Sequence, residues 1–245
     1  MNEVVKTLMD HRSIRQYTRE PVDENQLLQI LQAAQAAPSS INGQQISLIV
    51  IKDQQKKEKI AELSGGQPWI AQAPVFLLFV ADYYRAKLAA EKNHEALVIT
   101  DSLESIMVSS VDVGLAMGNA IAAAESMGLG IVPIGAVRRN PDEIVKMLQL
   151  PEFVFPIAGL VIGHPDGHSE KKPRLPMKAV VHDEVYNTET SRLIDEYDDT
   201  ISAYLLKRSD GTDHRKWSEI VSGLYNKVYF PKVSPVIKEQ GFKNL

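Results

Sequence analysis

The 245-residue chain has no cysteine. Disulfides, thiolate zinc sites and cysteine nucleophiles are excluded together, and the fold needs no oxidising compartment. Also missing are the spacings H-E-x-x-H, G-x-S-x-G and G-x-x-x-x-G-K, so zinc-protease, serine-hydrolase and P-loop chemistry find no support. Positive charge is not in surplus: 27 Lys and Arg against 31 Asp and Glu leave a net charge of −4 and a pI near 5.9, which argues against general nucleic-acid binding. The N-terminus carries Glu3 and Lys6 instead of an apolar leader, and no run is expected to approach the roughly 18 apolar residues of a membrane span. These absences predict a cytoplasmic protein with neither nucleic-acid nor membrane partners, in which any anion site is local.

What remains is an ordinary globular composition, 44% hydrophobic and 24% charged, long enough for one or two domains. Val4, Val5 and Leu8 mark a short helix over 2–10. Pro21 and Asp23 open a second, with Asp23 and Gln26 spaced as a capping-box variant and Leu27, Leu31 and Ala34 at helical intervals before Pro38. Continuous branched apolar runs at 46–51, 75–80 and 156–162 read as buried strands, with 131–134 a shorter one. Strands separated by helices imply an α/β or α+β sheet covered on its faces. The longest helical pattern, 103–127, is rich in Gly and Ala and reads equally as a buried central helix or as a subunit interface. Asn140-Pro141-Asp142-Glu143 predicts a helix start with an N-cap, and Gly128 and Gly130 read as a helix cap and turn. From about residue 188 the chain becomes charged and helical, an extension of the core and not an independent domain.

The densest chemistry is His11-Arg12-Ser13-Ile14-Arg15, four hydrogen-bonding side chains within five residues. Guanidinium forks match phosphate oxygens two at a time, so this is a candidate phosphate grip. Gln67, after Gly65-Gly66, carries an amide able to meet the edge of a heteroaromatic ring. Gly128, Gly130 and Gly135 follow a helix and lead into a strand, the reverse of a dinucleotide-binding order. His164-Pro165-Asp166-Gly167-His168 reads as a solvated turn, and no metal is expected.

Taken together, the H-R-S-x-R segment, Pro38-Ser39-Ser40, Gly66-Gln67, Ile134-Gly135 and Lys172-Pro173-Arg174-Leu175-Pro176 resemble the nitroreductase family over nearly the whole chain. The resemblance is to the larger NADPH-dependent branch of oxygen-insensitive nitroreductases and NADPH:FMN oxidoreductases. It implies an α+β fold with a central, mostly antiparallel sheet flanked by helices, a core over 1–187 and a C-terminal extension over 188–245 that wraps the partner of a homodimer. It implies FMN held by His11, Arg12, Ser13, Arg15, Lys172 and Arg174 around the phosphate and ribityl chain. Ser39, Ser40, Gln67 and the backbone of Ile134, Gly135 and Ala136 would meet the flavin. Arg208 or Arg215 would read the NADPH 2′-phosphate. The implied activity is ping-pong hydride transfer from NADPH through FMN to a small-molecule electron acceptor such as a nitroaromatic, quinone or free flavin, with no catalytic side chain. A non-catalytic FMN-binding or sensing protein is the alternative, and a colourless phosphate-ligand protein a third.

Overall fold

In a computed structural model, residues 1–167 and 169–243 are described. Two compact units emerge: Met1–Ser169 with Phe230–Leu245, and Glu170–Tyr229.

The first unit is built on β1 (Ile46–Ile51), β2 (Val75–Asp82), β3 (Gly130–Ile134) and β4 (Val154–Gly163), in spatial order β1-β2-β4-β3 with every neighbour antiparallel. The continuous apolar runs follow from burial on both faces. Along β2, Val75, Leu77 and Phe79 enter one core while Phe76, Leu78 and Val80 enter the other. Pleating sends alternate side chains to opposite faces, so a strand covered twice must be apolar at every position.

The helices of this unit before the second begins are α1 (Glu3–Met9), α2 (Glu24–Gln35), α3 (Gln54–Leu63), α4 (Trp69–Gln72), α5 (Tyr84–Lys92), α6 (Leu103–Ser126) and α7 (Pro141–Leu148). On one face, α2 and α6 contribute Leu27, Ile30, Val113, Ala116 and Ala120; on the other, α3, α4 and α7 contribute Ile60, Ile70 and Ile144. Asp23 caps α2 by accepting from Asn25 N and Gln26 N, and Ser102 caps α6 by accepting from Glu104 N. All four predicted strands form, 46–51 and 131–134 within a residue of expectation like the helix over 103–127, and 75–80 and 156–162 as the longer β2 and β4.

Three expectations are corrected. Asn140 takes the N-cap position of α7 with Pro141 after it, but its side chain makes no cap hydrogen bond; its amide donates to Leu63 O at 2.9 Å instead, tying α7 to the end of α3. Gly130 is no turn but the first residue of β3, where a Cβ would sit 2.8 Å from Ile14 Cγ1. Finally, α6 is long and apolar enough to cross a membrane by length and composition, although eight of its residues are buried in this unit.

After the second unit, which contributes α8 (Ser191–Arg208) and α9 (Trp217–Tyr225), the chain returns as α10 (Val233–Glu239). Val236, Ile237 and Phe242 bury beside Tyr83 and Phe155, with the Phe242 ring edge-on to Tyr83 and Phe153 at 6.1 Å.

Candidate functional site

Segment 11–17 is laid along the edge strand. Ser13 makes a parallel bridge with Ile131, Ile14 N donates to Ile131 O at 2.9 Å, and Tyr17 bridges Pro165. Ile14 and Tyr17 are buried, and the Tyr17 hydroxyl donates to Ile14 O at 2.7 Å, so the backbone between them is pinned at both ends. Burial pushes the Tyr17 phenol well above its ordinary value, which keeps it a donor.

The polar side chains of this segment have different partners. His11 Nδ1 lies 2.6 Å from Glu125 Oε1 at the end of α6. Arg12 pairs with Asp10, Nη2 to Oδ2 at 2.6 Å, and lines a cleft of about 430 Å³ with Glu125 and Gly130. Arg15 is exposed and lies over the Trp69 ring at 5.7 Å from its centroid, a cation–π contact. Trp69 packs against the same core as Ile14, Ile134 and Ala136, so Arg15, the loop before α4 and the end of β3 share one side of the sheet. Within that loop Gly65 and Gly66 take φ values of 85° and 75°, and the Gln67 amide donates to Ser64 O at 2.8 Å. Ile134 is buried at the end of β3, and the chain then turns through Gly135 and Ala136 with Gly135 exposed.

Ser39 and Ser40 stand elsewhere. Ser39 Oγ accepts from Gln44 N at 2.7 Å and Ser40 N donates to Asp112 Oδ1 on α6 at 3.3 Å. Ile41, Asn42 and Gln44 all have φ near +50°, and Ile41 is 97% exposed. This loop feeds β1, at the opposite edge of the sheet from β3. Three strand spacings, about 14 Å, separate the two edges. The chain therefore holds its predicted site residues in two groups that do not meet within the first unit. Beside the loop, a cleft of about 870 Å³ runs along β1, α2 and α5.

In the second unit, Lys172 and Arg174 are exposed, and Arg174 Nη1 donates to Lys172 O at 2.8 Å. The buried Tyr197 on α8 fastens this segment by donating to Pro173 O at 2.8 Å. Arg215 is engaged by Asp213 through Nε at 3.0 Å and Nη2 at 2.8 Å, which holds the Asp213 carboxyl down at about 2. Arg208, exposed at the end of α8, has no acidic partner among the described residues.

His164 Nε2 approaches Pro21 O at 3.3 Å, and His168 lies outside the described residues. No group of three His, Cys, Asp or Glu side chains suited to a metal occurs among the described residues. Trp69 and Asp112 are the site neighbours that sequence reasoning missed. Neither stands in a recognisable motif, and their signal is structural: Trp69 Nε1 and Asp112 Oδ2 are buried without hydrogen-bond partners.

A four-stranded antiparallel sheet, helices on both faces and a basic segment stitched to its edge strand define an α+β fold of a recognised kind. The chain belongs to the nitroreductase family: the Nitroreductase family matches residues 8–164 and its C-terminal domain matches residues 172–245. It is 55% identical to FMN reductase [NAD(P)H] of Bacillus subtilis over 99% of each chain. Among solved structures, NfrA2 of B. megaterium superposes with a TM-score of 0.99 at 53% identity, covering all of both chains. The NADPH:FMN oxidoreductase of Vibrio harveyi complexed with NAD+ superposes at 0.89 with 34% identity, over 98% of each chain.

Proposed function

We propose that the chain is an FMN-dependent NAD(P)H oxidoreductase working as a homodimer in the cytoplasm. The observation that carries this reading is full-length similarity to an FMN reductase, joined to a segment of the matching residue types pinned beside an exposed Gly135 turn.

Bound FMN supplies a centre that accepts hydride from a nicotinamide and passes it to an acceptor, and the protein supplies position and charge. His11, Arg12, Ser13 and Arg15 hold the phosphate and ribityl chain. A pinned backbone suits this role, because donors fixed in advance need no reorganisation when an anion arrives. Gln67 and the backbone at Ile134, Gly135 and Ala136 border the ring. Gly135 lacks the side chain that would hold the ring off. Ser39 and Ser40 serve the site of the second subunit, which accounts for their place at the far edge of the sheet.

Support for the dimer comes from α1, which buries none of its residues, and from α6, where Leu103, Met107, Val111 and Leu115 recur every fourth position and are 42–62% exposed. An apolar stripe of this kind, on a chain whose α1 also exposes Val4, Val5, Leu8 and Met9, is a surface that a second copy would cover. The C-terminal extension contributes by embracing that copy. With one face serving both nicotinamide and acceptor, exchange follows ping-pong order. Nitroaromatics, quinones and free flavins are the acceptor class, matching the exposed turn at Gly135. Arg208 is the reader of a 2′-phosphate in preference to Arg215, whose guanidinium fork is already filled by Asp213.

An absorbance scan of the purified protein, repeated anaerobically with NADPH and then NADH, tests the reading. Flavin bands that bleach with a reduced nicotinamide are expected. Bands that persist would favour a sensing role, and no bands after reconstitution with FMN would overturn the proposal.

A further inference from the structure

Glu125 stands where helix physics disfavours it. It is the last residue but one of α6, so its carboxylate faces the negative end of a 24-residue helix dipole. Its side chain is only 13% exposed. Oε1 lies 2.6 Å from His11 Nδ1, whereas Oε2 is buried with no hydrogen-bond partner. A buried carboxylate oxygen without a donor is costly, and packing alone would be served as well by an apolar residue. The contact that accounts for the acid is the one to His11, made across 114 positions of chain.

A carboxylate only accepts, so the proton between them sits on Nδ1. Nε2 is then the ring nitrogen on the far side from Glu125, and a ring flip, which would put Cδ2 in place of Nδ1 and Cε1 in place of Nε2, would lose the contact to Glu125. We infer that Glu125 is a positioning residue for the cofactor phosphate: it holds Nδ1 so that the imidazole of His11 keeps Nε2 turned toward the anion gripped by segment 11–15. The inference rests on the FMN reading above. Arg12, which lines the same cleft as Glu125, is tied to Asp10, so His11 is the member of the segment that α6 orients.

The test compares binding of FMN with binding of riboflavin, which has the same ring and no phosphate, to the full chain by fluorescence titration. The proteins are the wild type, Glu125→Gln, His11→Gln and the double variant. Loss of one hydrogen bond to a charged group predicts roughly tenfold weaker FMN binding for Glu125→Gln, unchanged riboflavin binding, and no further loss when His11→Gln is already present. Equal losses for both flavins, additive losses in the double variant, or no loss at all would overturn the inference. Unchanged FMN binding by His11→Gln would instead overturn it through its premise, the placing of His11 on the phosphate. Should Glu125→Gln fail to fold, Glu125→Asp, which draws the acceptor back from Nδ1, is subject to the same comparison and the same outcomes.

Discussion

Tyr83 shows what one buried hydroxyl does to the pH range of the whole protein. Its OH donates to Ser105 O at 2.9 Å, and burial, with smaller contributions from Asp112 and Glu104, raises its pKa to about 12. An unfolded chain releases this proton near 10, so the folded state binds more protons between 10 and 12 and stability falls as pH rises through that window. Tyr83→Phe should cost about 1 kcal/mol at neutral pH and flatten the fall above pH 10. Urea denaturation at pH 8 and pH 11 checks both; an unaltered slope would mean that Tyr83 does not control the alkaline limit. Arg208→Ala should raise KM for NADPH about tenfold while leaving KM for NADH in place, as expected when one charged contact to a 2′-phosphate is lost. Steady-state kinetics with both nicotinamides would expose an equal effect, which removes the role. The sequence made these residue types visible, but not their partners. His11, Arg12 and Arg15 are neighbours in the chain and still bind Glu125, Asp10 and Trp69 respectively, because an extended backbone sends successive side chains apart.

At the scale of elements, legibility followed burial. β2 and β4 were readable because two covered faces demand apolar residues with little interruption, and the edge strands β1 and β3 because they keep apolar runs despite an exposed Val50 and Pro133. The polar helix α3 was not foreseen: it opens Gln54-Gln55-Lys56-Lys57-Glu58-Lys59, and its one local signal is Asp53, which accepts from Lys56 N at 2.9 Å. Tertiary packing of Ile60, Ala61 and Leu63 makes that helix, and packing is not written in a polar opening turn. The mistaken turn at Gly130 has a similar origin. What requires glycine there is the approach of Ile14 from 116 positions earlier, with three of its side-chain carbons within 3.0 Å of a would-be Cβ. Gly130→Ala must push segment 11–17 off the edge strand, and overpacking of this kind costs about 1–3 kcal/mol. Thermal denaturation should show the loss, and FMN retention should fall with it. Wild-type retention at lowered stability would separate the fit of Ile14 from the cofactor grip.

For the whole molecule, the decisive fact is that Arg15 and Ser40 belong to opposite edges of one sheet. In the proposed homodimer, the edge loop of one copy would serve the site at the basic segment of the other. Homologous family membership was legible in five short motifs, whereas the division between two subunits proposed for them was not, since a motif records residue order and not which copy supplies it. The division can be measured by complementation. Arg15→Ala damages one group and Ser39→Ala/Ser40→Ala the other, so each variant alone should bind FMN weakly. Subunits mixed in equal amounts and allowed to exchange form mixed dimers, each with one doubly damaged site and one intact site. Random pairing makes half of the dimers mixed, so about one quarter of all sites should regain wild-type affinity. Recovery of that fraction in a flavin titration would show that each site draws on both chains. Complete absence of recovery, with subunit exchange verified by mass spectrometry, would place both groups in the service of a single chain and remove the shared site.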